Sequence, residues 1–259
     1  MITILFYPEP LKPKPLSRVY RVLKEQGTKN GITYHNDPTK PYDLHIFWSY
    51  TKDRIKPNEL TLIDKAVINR GCWEVGKEKV NNIFNDIRID PTTYKGVCVK
   101  KLDKQGSHKN HSLITCPDIR EEGFVYQKYI DDKEGDQFVK YRVYYADGIQ
   151  VILKSYKPTI FGSECTKHEI VAKRQLFSPE AEAKFILKCM AFGLDFGEID
   201  IMMDEGIPII VDVNNCVGGG FVWGLTGTDI HKKIDNTFIT FIKQRYDKSS
   251  KVQQECKVF

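Results

Sequence analysis

Residues 197–220 read GEIDIMMDEGIPIIVDVNNCVGGG, two runs of strand-forming residues separated by the turn signal Asp204-Glu205-Gly206. Side chains alternate along a strand, so Ile199, Ile201 and Met203 face one way while Glu198, Asp200 and Met202 face the other. On the return run the same rule sets Ile207, Ile209, Val211 and Val213 in a buried row and puts Asp212 and Asn214 together on the opposite side. A hairpin turning near Gly206 therefore predicts Asp200 almost directly across from Asp212, with Cβ atoms about 4.5–5.5 Å apart. Carboxylates at that separation repel, so solvent or a cation must lie between them.

The oxygens of Asp200, Asp212 and Asn214 suit a hard divalent ion, because Mg²⁺ is usually held by one or two carboxylates together with phosphate oxygens and water. A half-exposed hairpin whose polar face meets solvent is the plainer alternative. The run Gly218-Gly219-Gly220 favours a site, since glycine lets a backbone approach a ligand closely. An acid on a strand, a short turn, an acid-x-Asn return strand and a glycine-containing loop together resemble the metal-binding signature of the ATP-grasp superfamily. The likeness is greatest to its small carboxylate–amine ligases, such as glutathione synthetase and the glutamate ligases that modify protein tails. It implies that Asp200, Asp212 and Asn214 bind Mg²⁺, with Asp212 a shortened form of the usual Glu.

The likeness continues upstream. Gly123-Phe-Val-Tyr-Gln127-Lys128-Tyr129-Ile130 resembles the linker strand whose backbone reads the adenine edge, with Lys128 where Glu is common. Asp132 and Asp136 are the nearest acids for the ribose. Next, Gln137–Tyr145 and Ile149–Tyr156 flank Ala146-Asp147-Gly148 as a hairpin. Lys140, Arg142 and Tyr144 share a face of its first strand, and Gln150, Ile152 and Lys154 share a face of its second. Coincident faces would line one surface with three cations; a solvated basic face is the alternative. The resemblance implies that Lys154 contacts the γ-phosphate or acyl phosphate and makes Arg142 a second catalytic candidate, with Lys140 standing where an acid often precedes that arginine. Earlier, Val97-Cys98-Val99-Lys100-Lys101-Leu102 followed by Gln105-Gly106-Ser107 is similar to the strand and loop that close over the triphosphate. Lys100 is the first choice for the α/β-phosphates and Lys101 the alternative. One of Lys77 and Lys79 fills a further lysine position near the nucleotide, a solvated helix face being the other reading.

The resemblance thus implies an α/β (α+β) ATP-grasp fold in which two subdomains clasp the nucleotide. The expected boundaries are a short Rossmann-like domain over 1–70, the first ATP-grasp subdomain over 71–125, the second with the metal site over 126–247, and a polar tail over 248–259. Within this frame, residues 2–7, 32–35 and 43–50 read as strands, and Ser17–Gln26 as a helix ending at Gly27. Asn58–Asn69 reads as a helix N-capped by Asn58, and Gly76–Phe84 as a short amphipathic one. Ser178-Pro179-Glu180 opens another, with Phe185, Ile186, Cys189 and Met190 as its stripe before Gly193, and the last runs from about Thr228 to Tyr246.

Composition fits a globular enzyme: 259 residues at 41% hydrophobic content suffice for a substantial core. No apolar run approaches the roughly 18 residues of a membrane helix, and Met1–Tyr7 lacks the basic start of a signal peptide, so the expected location is the cytoplasm. Seven cysteines without a C-x-x-C pair argue for reduced thiols and against zinc. The six histidines form no ligand spacing, His108 and His111 included. A net charge of +5 suits an anionic partner. No run of five Lys or Arg occurs, which disfavours a nucleic-acid face, and ATP or an acidic substrate accounts for the same bias.

The expected function is an Mg²⁺- and ATP-dependent ligase that activates a substrate carboxylate as an acyl phosphate and joins it to an amine. The substrate would be a small molecule or peptide, and a homodimer would match the family's habit. Two alternatives stand: a small-molecule kinase of the inositol-phosphate-kinase type, and a nucleotide-binding protein with a degenerate site.

Overall fold

A computed structural model of the chain describes residues 1–8, 11, 18–48, 67–72, 75–103, 111–161, 164–215 and 228–255, with side chains to 250. Gly218–Gly220, Gln105–Ser107 and most of the helix expected from Asn58 lie outside the described residues.

Strands β1 (Ile2–Pro8), β2 (Ile32–His35), β3 (Leu44–Trp48) and β4 (Val67–Ile68) form a parallel sheet in the order β2-β1-β3-β4. The apolar runs ITILFYP and LHIFW suit strands covered on both faces. Val67 and Ile68 are thus in a strand where the sequence suggested a helix end. Between β1 and β2 runs α1 (Arg18–Val22), which continues as a wider turn through Gly27. After β4, Asn69 takes a left-handed conformation, φ 61°, and α2 (Lys77–Phe84) follows.

A small antiparallel sheet holds β5 (Gly96–Leu102) between β6 (Ser112–Cys116) and β7 (Phe124–Lys128). The largest sheet orders β11 (Lys167–Val171), β10 (Ile149–Lys157), β9 (Gln137–Ala146), β12 (Phe196–Asp204) and β13 (Ile207–Asn214), with β8 (Lys133–Glu134) on β9. Helices α3 (Lys173–Leu176) and α4 (Pro179–Phe192) lead into β12, and α5 (Asp229–Glu255) closes the described chain. Ser178 caps α4 by accepting from Ala181 N at 3.1 Å. Phe185, Cys189 and Phe192 form its buried stripe, whereas Met190, expected there, is 65% exposed. Helix α5 continues to Glu255, through much of the stretch read as a polar tail.

Two cores flank the large sheet. On one face Val139, Tyr141, Val143, Ile199 and Ile201 pack against α4 and α2. On the other, Tyr144, Val151, Leu153 and Phe196 pack against α5 and the parallel sheet. A polar joint holds these parts together. Asn69 donates through Nδ2 to Phe196 O and Asn215 O at 2.8 and 3.1 Å, and its Oδ1 accepts from Asp195 N and Phe196 N at 2.9 and 3.0 Å. Next to it the backbones of Gly71 and Gly193 meet so closely that a Cβ on Gly193 would lie 2.5 Å from Gly71 Cα.

Candidate active site

The β12–β13 hairpin turns at Glu205 and Gly206, both at positive φ (52° and 80°), as a two-residue hairpin loop requires. Asp200 pairs with Asp212 and Glu198 with Asn214 in its register. The next pair is Ile201 with Ile210, so Val211 is the extra residue of a β-bulge. The bulge breaks the expected row: Ile210 and Val213 bury with Ile199 and Ile201, while Ile209 and Val211 bury with Ile87, Ile130 and Met202 on the face of Asp200. Ile207, at the start of the row, is 60% exposed.

Asp200 is buried, and burial alone would raise its pKa. Arg142 and Lys140 outweigh that and hold it well below the usual carboxylate range. Arg142 donates from Nε to Oδ1 at 2.8 Å and from Nη2 to Oδ2 at 3.2 Å, and Lys140 Nζ lies 2.5 Å from Oδ2. The charge of Asp200 is thus met by the protein itself, from β9 on the side of β12 away from β13. Asp212 and Asn214, both partly exposed, present oxygens beside it.

A second bulge, between Ile149 and Val151, decides which lysines join. An unbroken ladder from the Ile149–Tyr145 pair would set Lys154 opposite Lys140. The bulge moves it opposite Tyr141, and directly opposed residues share a face. Lys154 therefore lies on the opposite face from Asp200, ion-paired with Glu134 and 4.9 Å above the Tyr156 ring. The expected coincidence of faces does not hold. Lys157 lies on that face instead: it is buried on the Lys140 side, and burial, then repulsion from Lys140, pushes its ammonium down to about 8. Sequence reasoning missed it because the bulge leaves no mark in the alternation.

From the small sheet, Lys101 and Lys100 point apart. Lys100 pairs with Tyr126 in the ladder, ion-pairs with Glu121 and lies 4.5 Å above the Phe124 ring. Lys101 shares its face with Val99 and Gln127, and the Gln127 side chain donates to Asn81 Oδ1 and Val211 O at 2.6 and 3.4 Å, toward β13. Burial pushes Lys101 down to about 8, against the pull of Asp212 and with repulsion from Lys140 and Lys77. The alternative lysine, not the first choice, faces the carboxylates. Lys77 is buried, while Lys79 lies 4.6 Å above the Phe192 ring.

The linker residues lie between the two sheets. Lys128 N donates to Ile87 O at 2.7 Å and Tyr129 N to Val97 O at 3.3 Å, so both amides are already engaged. The Lys128 side chain ion-pairs with Asp204 at 2.8 Å, the Tyr129 hydroxyl donates to Asp131 at 2.8 Å, and Ile130 is buried with Ile209 and Val211. Asp136 is exposed in the turn before β9. Asp132 accepts from Met203 N at 2.8 Å, tying the linker to β12.

Among the described residues no group of three or more His, Cys, Asp and Glu is placed to hold a metal unaided. Asp212 and Asn214 keep partly exposed oxygens of the kind that Mg²⁺ shares with phosphate, whereas both oxygens of Asp200 are engaged by Arg142 and Lys140.

Neither a protein-family profile nor a curated protein sequence matches the chain. Solved structures do. The ATP-grasp ligase PsnB, complexed with a phosphomimetic variant of a minimal precursor, Mg and ADP, is 12% identical with a TM-score of 0.60, covering 93% of this chain and 98% of its own. A RimK domain ATP-grasp protein from Sphaerobacter thermophilus is 13% identical at 0.54, covering 91% and 98%. D-alanine–D-alanine ligase from Bacillus anthracis, complexed with ATP, is 13% identical at 0.51, covering 98% of both chains. The chain has the ATP-grasp fold. In this ATP-grasp chain no helix among the described residues is long and apolar enough to cross a membrane.

Proposed function

We propose that the protein is an ATP-dependent ligase that joins a carboxylate to an amine through an acyl phosphate. One observation carries this reading: Lys101 from the small sheet and Lys157 from the large one converge with Lys77, Lys140 and Arg142 on Glu198, Asp200 and Asp212. Among the described residues cations outnumber carboxylates there, and burial with repulsion from Lys140 pushes two of the lysines down to about 8, a setting that favours a bound anion. A triphosphate supplies one.

In this reading residues 71–125 and 126–247 are the clasping subdomains and 1–70 a preceding domain. Asp212 and Asn214, with Asp200, hold Mg²⁺, which when bound offsets phosphate charge. Lys101, Lys157 and Arg142 stabilise the charge on the transferring phosphoryl oxygens. The substrate carboxylate attacks the γ-phosphorus, the bond to ADP breaks, and an amine then displaces phosphate from the acyl carbon. No side chain of the protein is a nucleophile in this scheme. The test is phosphate release from ATP and Mg²⁺ with pooled carboxylates and amines. Release that needs both supports the ligase; transfer of phosphate to a hydroxyl group points to a kinase and overturns it.

A further inference from the structure

Glu198 has no part in the scheme above, yet it is 2% exposed and lies on the same face of β12 as Asp200. Its carboxylate meets Arg142, whose Nη1 donates to Oε2 at 3.1 Å while Nε and Nη2 of the same guanidinium bond to Asp200 at 2.8 and 3.2 Å. One planar group therefore bridges two carboxylates of one strand. The bidentate bond to Asp200 sets where Arg142 sits, and the bond to Glu198 fixes the tilt of its plane. Tyr144, directly opposite Glu198 in the ladder, is buried, and the Arg18 guanidinium lies 5.7 Å from the centroid of its ring. Desolvating a carboxylate costs several kcal/mol, and an apolar side chain at such a position is often as stable or more so. Filling space is thus a poor reason for a glutamate here.

We propose that Glu198 is a positioning residue: it holds the Arg142 guanidinium at the angle that meets the phosphoryl group during transfer. The inference rests on the nucleotide reading of the site. It makes Glu198 unnecessary for holding the nucleotide and necessary for recognising the phosphoryl group in flight.

Glu198→Gln keeps the size and an acceptor oxygen but removes the charge. Calorimetry would compare binding of MgADP alone with MgADP plus aluminium fluoride, which mimics the group in transfer. The expected result is MgADP affinity within about twofold of the unaltered protein and a loss of about tenfold or more with aluminium fluoride. Glu198→Asp keeps the charge on a shorter stem; it recovers part of the aluminium fluoride binding lost in Glu198→Gln, and where Glu198→Gln fails to fold its own selective loss against the unaltered protein decides the matter. Equal losses in both measurements mark a purely structural role and overturn the proposal, as does no loss in either. Failure of the unaltered protein to bind MgADP overturns the nucleotide reading, and the positioning role with it.

Discussion

Lys100 and Lys101 are adjacent and chemically identical, and the pleat of β5 sends them to opposite faces. Lys101→Ala is expected to weaken Mg·ATP binding roughly 10- to 100-fold, the worth of one charge-assisted contact, while Lys100→Ala leaves it within about twofold, as calorimetry would read. Equal effects would refute the assignment. Asp212→Ala is expected to lose Mg·ATP binding with little change in melting temperature, because it removes a carboxylate facing another. The two depressed lysines also set a pH dependence. Their folded pKa of about 8 lies below the ordinary lysine value, so the unfolded chain binds more protons above that point. Without nucleotide, the stability of the fold should therefore rise from about pH 8 toward pH 10. Nucleotide affinity should do the reverse and fall as pH climbs through about 8, with proton uptake on binding near that pH. Titrations in buffers of different ionisation heat would reveal that uptake.

At the scale of elements, the hairpin was legible and its phase was not. Alternation placed Asp200 across from Asp212, and the register agrees. Capping and turn chemistry likewise located α4 and the Glu205-Gly206 loop. Two bulges changed the rest: one turned Val211 away from the row read for it, the other put Lys154 on the face away from Lys140 and Lys157 on the same face as Lys140. A bulge adds a residue without altering composition, so period-2 reasoning carries straight past it. The close approach of β12 to β13 was equally silent in sequence. A Cβ on Gly197 would lie 2.3 Å from Asn214 O and 3.0 Å from Leu194 Cδ1. Gly197→Ala should accordingly cost about 1–3 kcal/mol in urea unfolding, and weaken Mg·ATP binding by spreading Asp200 from Asp212. An unchanged midpoint would show that the strands can part freely.

For the molecule as a whole, the ATP-grasp fold was legible through the resemblance, whereas the joint between its sheets was not. Asn69 had been read as a helix end, and its bonds reach residues 126 or more positions away, beyond any local pattern. Buried with no exposure and bonded through both side-chain atoms, it should be hard to replace. Asn69→Ala is expected to destabilise the fold by about 3 kcal/mol or more, since it strands the amides of Asp195 and Phe196, and calorimetric melting would show it. Beside that joint stand Gly71 and Gly193, whose backbones touch. Neither position can acquire a side chain while the other's backbone stays where it is, so each glycine is required by its partner's main chain. Replacing both at once would relieve neither contact, so the seam between these parts of the molecule tolerates no paired exchange and its closeness is set by main chain alone.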